Sequence, residues 1–204
     1  MRMLAIETAT EACSVALFED GALIGAFHET IGRGHAERLV PMIAELPGKG
    51  RADMIRVSLG PGSFTGVRIG LATARALGVA WNVPVQGYPT LALVAHMARE
   101  RVGDPLVVVM NGGHGEWFVQ PFDDSGRAEA DACSLAPEAA RKAYGSRVAA
   151  GNRAAVFHGE ETQGASAIEL LPDARYVAGL AIHDLTPALA PIYGRAPDAR
   201  PPGQ

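Results

Sequence analysis

Three short stretches of this chain carry residue types that could do chemistry. The first is Glu7-Thr8-Ala9-Thr10, a carboxylate and two hydroxyls closing the apolar run 2–7. An acid at a turn between strands can hold a metal-bound water, and a purely structural polar turn has the same letters. The second is Asn111-Gly112-Gly113-His114-Gly115, whose glycines can present backbone amides to a phosphate or can simply close a hairpin. The third is Gly60-Pro61-Gly62-Ser63-Phe64-Thr65-Gly66, after the apolar run 54–59. A phosphate-cradling Walker loop needs Lys and then Ser or Thr after its last glycine, but Gly66 precedes Val67 and Arg68. A nucleophile elbow needs glycine two residues either side of its serine, where Ser63 has Pro61 and Thr65. His35 begins an amphipathic helix over 35–46, with Leu39, Met42, Ile43 and Leu46 on one face. A metal-binding helix would carry a second histidine four residues on, and position 39 is leucine. His35 therefore reads as a surface or capping residue. No catalytic residue, metal or cofactor is expected.

The elements around these stretches follow from periodicity and turn chemistry. Residues 2–7, 12–19 and 22–29 read as three consecutive strands, the last two joined by Asp20-Gly21. Residues 54–59 form a buried strand, and 83–86 a brief one. A helix over 90–101 leads to Gly103-Asp104-Pro105, the best boundary between lobes. Strands over 106–110 and 116–122, separated by the 111–115 turn, echo the opening hairpin. Beyond position 123 the expected elements are an edge strand over 127–134, a helix over 136–144, strands over 148–151 and 153–157, and a helix over 173–184. Lobes over 1–103 and 104–193 and a Pro/Gly-rich tail over 194–204 complete the division.

At the centre of the first lobe lies a helix after Ser63 or Thr65, either of which can cap it. Its Gly66, Gly70, Ala74 and Gly78 recur every fourth residue, a row that stays near one helical face. Glycine costs about 1 kcal/mol per interior helical site, so close approach by a neighbour is implied. That neighbour is either this chain's own sheet or a second protein. On the second reading Gly70→Glu or Ala74→Arg disrupts pairing without unfolding the chain.

Composition narrows the function classes. The formal charge of −4 and 6% aromatic content offer no electrostatic footprint for nucleic acid. Cys13 and Cys133 sit in no Cys-x-x-Cys motif, so reduced thiols in a cytoplasmic protein are expected. The N-terminus turns acidic before a signal-length apolar span develops, and no run is long enough to cross a bilayer.

Several segments resemble the TsaB (YeaZ) family, partner proteins in tRNA threonylcarbamoyladenosine synthesis. They are residues 60–70 (Gly-Pro-Gly-Ser-Phe-Thr-Gly-Val-Arg-Ile-Gly), residues 4–17, and residues 33–41 (Arg-Gly-His-Ala-Glu-Arg-Leu-Val-Pro). Pro191-Ile192-Tyr193-Gly194-Arg195 resembles the family's Pro-x-Tyr-Leu-Arg. The resemblance implies an α/β, actin-like (ASKHA, RNase H-like) two-lobe fold, with mixed sheets flanked by helices and a reduced second lobe. It implies a scaffold or activator without catalysis of its own, pairing with a TsaD-type transferase, with a TsaE-type ATPase joining and tRNA reached only through the complex. Self-association of the free chain is expected, and no membrane. The interface it implies comprises His35, Leu39 and Met42 together with Gly66, Ile69, Gly70, Thr73, Ala74, Leu77 and Gly78. The family usually has Asp-Ala-Arg where this chain has Asn111-Gly112-Gly113, which instead resembles the Ser-Gly-Gly-His phosphate turn of the catalytic relative. The competing expectation is thus an ATP-binding phosphotransferase or carbamoyl-transfer enzyme using Glu7, Thr8, Asn111, Gly112 and Gly113. A metal-dependent peptidase lacks a ligand pair.

Overall fold

The alternation that opens the chain builds an antiparallel meander. In the computed structural model, which describes residues 1–158 and 167–194, β1 (Arg2–Glu7) pairs with β2 (Ala12–Glu19) and β2 with β3 (Ala22–Thr30). Asp20 and Gly21 turn the second hairpin with φ of 49° and 83°, the conformation that makes Asp-Gly a hairpin dipeptide. On the other side of β1, β4 (Met54–Ser58) and β5 (Val85–Tyr88) run parallel to it, giving the order β3-β2-β1-β4-β5. Parallel neighbours need long crossovers. These are α1 (His35–Glu45), before β4, and α2 (Phe64–Trp81), before β5. Of the two possible caps for α2 the chain uses Ser63, whose hydroxyl accepts from the Gly66 amide at 3.2 Å.

After α3 (Thr90–Arg99), the second half repeats this plan. Its strands are β6 (Leu106–Gly113), β7 (Glu116–Phe122), β8 (Cys133–Leu135), β9 (Val148–Ala150) and β10 (Ala167–Ile168). The order β10-β9-β6-β7-β8, read backwards, is again an antiparallel meander followed by two parallel strands. The echo of hairpins is therefore a repeat of topology. Its crossover helices are α4 (Pro137–Tyr144) and the single turn α5 (Ala154–Phe157), and β8, β9 and β10 have only 3, 3 and 2 residues. Two mixed sheets flanked by helices, the second reduced, are the expected actin-like arrangement.

Period-2 alternation sorts the core. Met3 and Ala5 face inward onto α3, of which every residue but His96 and Arg99 is buried, and Val108, Met110 and Phe122 close on it from the second sheet. Leu4 and Ile6 point the other way, to Leu39 and Met42 of α1 and Val67 and Leu71 of α2. Val107 and Val109 meet Trp117, Ala154 and Phe157 on the outer side of the second sheet.

Three local expectations fail. Residues 173–184 form two 3-10 turns, Ala174–Gly179 and Ile182–Asp184, instead of one helix. Tertiary partners hold this segment: Arg56 donates at 3.1 Å to the Val177 carbonyl, which a helix would have used, and Ser14 accepts from the Ala174 amide at 3.0 Å. Residues 153–157 supply α5 rather than a strand, since a short apolar run has no period to separate the two. The edge strand over 127–134 shrinks to β8 and one bridge, Phe122 to Ala128. The last described stretch returns to the first sheet: Thr186 bridges Gly87, and the Ile192 amide donates to the Leu59 carbonyl at 2.7 Å. Of the expected tail over 194–204, residues 195–204 lie outside the described residues.

Candidate functional site

The end of β1 is sealed by α2. Glu7 is fully buried, and its Oε1 accepts from the Ala9 amide at 2.7 Å. Burial pushes its carboxyl from the ordinary 4.5 up to about 7, against the opposing hydrogen bonds from Ala9 and Ser58. The Thr8 hydroxyl donates to the Gly66 carbonyl of α2 at 2.8 Å. A methyl group on Gly66 would strike the Thr8 carbonyl, one on Gly70 the Thr8 hydroxyl, and one on Gly78 would come within 2.5 Å of Val85 Cγ2. The row of small residues is thus explained by this chain's own sheet.

That placement corrects most of the expected partner interface. Gly66, Gly70, Ala74 and Gly78 face β1, β4 and β5, and Leu39 and Met42 are wholly buried beneath α1. His35 is buried too, its Nε2 lying 3.2 Å from the Ala12 carbonyl, so it is neither a surface residue nor available to a partner. A bulky charge at Gly70 or Ala74 would break the fold rather than a pairing surface. Ile69, Thr73 and Leu77 are half-buried, and Ile69 and Leu77 pack against the α1–α2 cluster. Outward on α2 lie Ala72, Ala76, Val79 and Ala80 beside Arg68 and Arg75, and on α1 Ala36, Val40, Pro41 and Ala44 beside Glu37 and Glu45.

Between the lobes opens a cleft of about 860 Å³. Thr10, Glu11, Phe64 and Arg68 line it from the first lobe, Asn111, Gly112, Gly113, His114 and Asn152 from the second, and Tyr193 from the returning stretch. Glu7 and Thr8 do not. The two halves of the expected nucleotide site are therefore apart, with Asn111, Gly112 and Gly113 at the cleft and the Glu7 carboxylate enclosed behind the first hairpin turn. Asn111 and Gly113 belong to the end of β6, which runs on past 110 through Gly113.

Two polar assemblies shape the cleft. The Asn152 carboxamide accepts from the Asn111 amide at 2.9 Å and donates to both Glu11 oxygens at 3.0 and 3.1 Å, clasping one lobe to the other. The Arg68 guanidinium lies 3.4 Å over the Phe64 ring and donates to the Tyr193 hydroxyl at 3.0 Å, while the Phe64 and Tyr193 rings stand 6.2 Å apart. Among the described residues no group of three or more His, Cys, Asp or Glu could hold a metal ion. Glu11, Phe64, Arg68 and Tyr193 lie in segments that carry the family resemblance, but neither they nor Asn152 read as site residues from the sequence alone. A signal for Asn152 existed: Gly151-Asn152 follows β9 as Gly60-Pro61-Gly62-Ser63 follows β4.

Comparison with known proteins fits this geometry. Residues 24–164 match the family model for TsaD, tRNA N6-adenosine threonylcarbamoyltransferase. The chain is 39% identical over 134 residues to the tRNA threonylcarbamoyladenosine biosynthesis protein TsaB of Escherichia coli, covering 62% of this chain and 58% of that one. It is 38% identical over 105 residues to TsaB of Haemophilus influenzae, covering 49% and 44%. The match thus spans about half the length of these curated relatives. An uncharacterized Mycobacterium tuberculosis protein is 31% identical over 211 residues, covering 98% and 94%. Among solved structures, YeaZ from Pseudomonas aeruginosa superposes with a TM-score of 0.75 at 27% identity, over 94% of this chain and 99% of that one. An uncharacterized protein with similarity to peptidase YeaZ from Pseudomonas aeruginosa superposes at 0.80 with 29% identity, over 95% and 99%. The chain belongs to the TsaD family, on its TsaB (YeaZ) branch.

Proposed function

We propose that this chain is a non-catalytic subunit of tRNA threonylcarbamoyladenosine biosynthesis, pairing with a TsaD-type transferase through the outer faces of α1 and α2. The observation that carries the reading is the character of those faces. Ala36, Val40 and Ala44 on one helix and Ala72, Ala76 and Val79 on the other are exposed, Val40 by 56% and Val79 by 85%. Both cations of α2 are drawn aside: Arg68 to Phe64 and Tyr193, and Arg75 to the Leu189 carbonyl at 2.5 Å. Exposed apolar side chains on a helix favour cover, and small ones let a second helix approach to about 8–10 Å. The names of the relatives supply the pathway. The same face serves a homodimer when the partner is absent, a TsaE-type ATPase joins the pair, and tRNA is reached through the assembly.

An ATP-dependent transferase working through Glu7 finds less support, because that carboxylate is enclosed behind Ala9. Size exclusion with light scattering, on the chain alone and mixed with a TsaD-type protein, tests the pairing. The expected result is a one-to-one complex, lost in Ala76→Arg with the unfolding midpoint unchanged. Absence of a complex between two folded proteins overturns it.

A further inference from the structure

The end of β6 carries a dipeptide with chemistry of its own, Asn111-Gly112. In water, the backbone nitrogen that follows an asparagine can attack that asparagine's own Cγ. A succinimide ring closes, ammonia leaves, and water opens the ring to aspartate or isoaspartate. Glycine in the following position favours the attack, because it has no side chain to shield its nitrogen and is the freest residue about its own backbone.

The surroundings of the chain's asparagines separate them. Asn82 precedes the stiff, branched Val83, whose amide nitrogen is occupied by a hydrogen bond to the Gly78 carbonyl at 3.0 Å. Asn152 precedes Arg153, whose amide donates to the Val109 carbonyl at 3.2 Å, and the Asn152 carboxamide is held between Asn111 and Glu11. Asn111 differs on each count. It is exposed, and the β6–β7 register passes from the Asn111–Trp117 pair to the Gly113–Glu116 pair, leaving Gly112 out of the ladder. Its side chain is turned back along its own chain, where Asn111 Oδ1 accepts from the Gly113 amide at 3.5 Å. That contact folds the carboxamide toward the Gly112 nitrogen. It also aims an N–H group at the oxygen on which negative charge develops as the ring closes.

We propose that Asn111 is a site of spontaneous deamidation, and that its conversion opens the clasp between the lobes. Asparagine and water are consumed, the acid and ammonia are formed, and no cofactor takes part. Either product adds a carboxylate to the network in which Asn152 joins the Asn111 amide to the Glu11 carboxylate, and the two acids repel. Isoaspartate also routes the main chain through the former side-chain carbonyl, which lengthens the backbone by a methylene just before Gly112 and disturbs the register with β7. The site lies away from the outer faces of α1 and α2, so it stands or falls independently of the subunit pairing.

Peptide mass mapping of the whole chain, aged in mildly alkaline buffer, tests this, with a protein isoaspartyl methyltransferase as the probe for isoaspartate. The expected result is a gain of one mass unit on the peptide bearing Asn111, with methyl acceptance, and none on those bearing Asn82 or Asn152. Asn111→Gln should abolish the gain, since the larger ring closes far more slowly. Asn152→Ala frees the Asn111 amide and should speed conversion roughly two- to tenfold, the restraint of one net hydrogen bond. Circular dichroism confirms that both variants are folded during ageing. The converted chain should unfold at a lower temperature than the fresh one, while aged Asn111→Gln keeps its midpoint. No gain at Asn111 in the folded chain, or one no faster than at Asn82, overturns the site. A midpoint unmoved by conversion, or an unchanged rate in Asn152→Ala, overturns its link to the clasp.

Discussion

The two sheets share one strand order, and the turns closing their first hairpins occupy equivalent positions in it, yet they meet different surroundings. In the first lobe, Thr8 lies under an 18-residue α2 whose glycines bring its backbone onto the turn. In the second, the corresponding crossover supplies, among the described residues, only the four-residue α5, and residues 111–114 at the end of the hairpin open onto the cleft. A Cβ on Gly113 would meet nothing within 4 Å, whereas one on Gly66 would strike the Thr8 carbonyl. Repetition of topology thus does not repeat the surroundings of the turn. A long crossover helix converts a polar turn into core, and a short one leaves it available to solvent and ligand.

Substitutions on either side of this divide should separate by size. Gly70→Glu puts a charged side chain into the Thr8 contact and should cost about 4–5 kcal/mol or more, leaving little folded protein by circular dichroism. Next comes the buried acid. Because the folded-state carboxyl of Glu7 sits near 7 rather than 4.5, the folded state holds its proton more tightly than the unfolded chain. Its contribution is fully present below about pH 4.5 and is lost as pH rises through 7. Glu7→Gln should accordingly gain on the native chain by up to about 3 kcal/mol between pH 4.5 and 8, read from urea unfolding at both ends. A pH-independent difference would show that the carboxyl titrates normally.

Smaller effects are expected in the second lobe. Asn152→Ala removes the clasp to Glu11 and should cost about 1–2 kcal/mol, with faster amide exchange around 9–11 and 111–113. Gly113→Ala meets no steric obstacle, only the penalty of its φ of 73°, about 1 kcal/mol by thermal unfolding. Were Gly113→Ala as damaging as Gly70→Glu, the contrast between covered and open turns would collapse.

Much of the fold was legible because it is encoded locally. Alternation in residues 2–7 and 12–19, Asp20-Gly21 and the Gly60-Pro61-Gly62 break depend on neighbours a few positions away, and each appears where the letters place it. Residues 173–184 were not legible in this sense. Two hydrogen bonds that fix them go to Ser14 and Arg56, more than 100 positions distant (separations of 160 and 121), and no local pattern reports such partners.

The candidate site divides in the same way. Asn111, Gly112 and Gly113 could be picked out as a glycine-rich turn, but Phe64, Arg68 and Tyr193 form a cluster only when the chain returns to α2, bringing Arg68 and Tyr193 together across 125 positions. The sequence by itself determined that α2 has a narrow, small-residue face and must lie close to something, since glycines every fourth residue project along one side of a 3.6-residue helix. Only the tertiary structure decided what lies there. The same row fits a partner helix or a sheet edge equally well, and the choice was made by the Thr8 carbonyl and hydroxyl of a strand sixty residues away (58 from Gly66), packed where a side chain would otherwise stand.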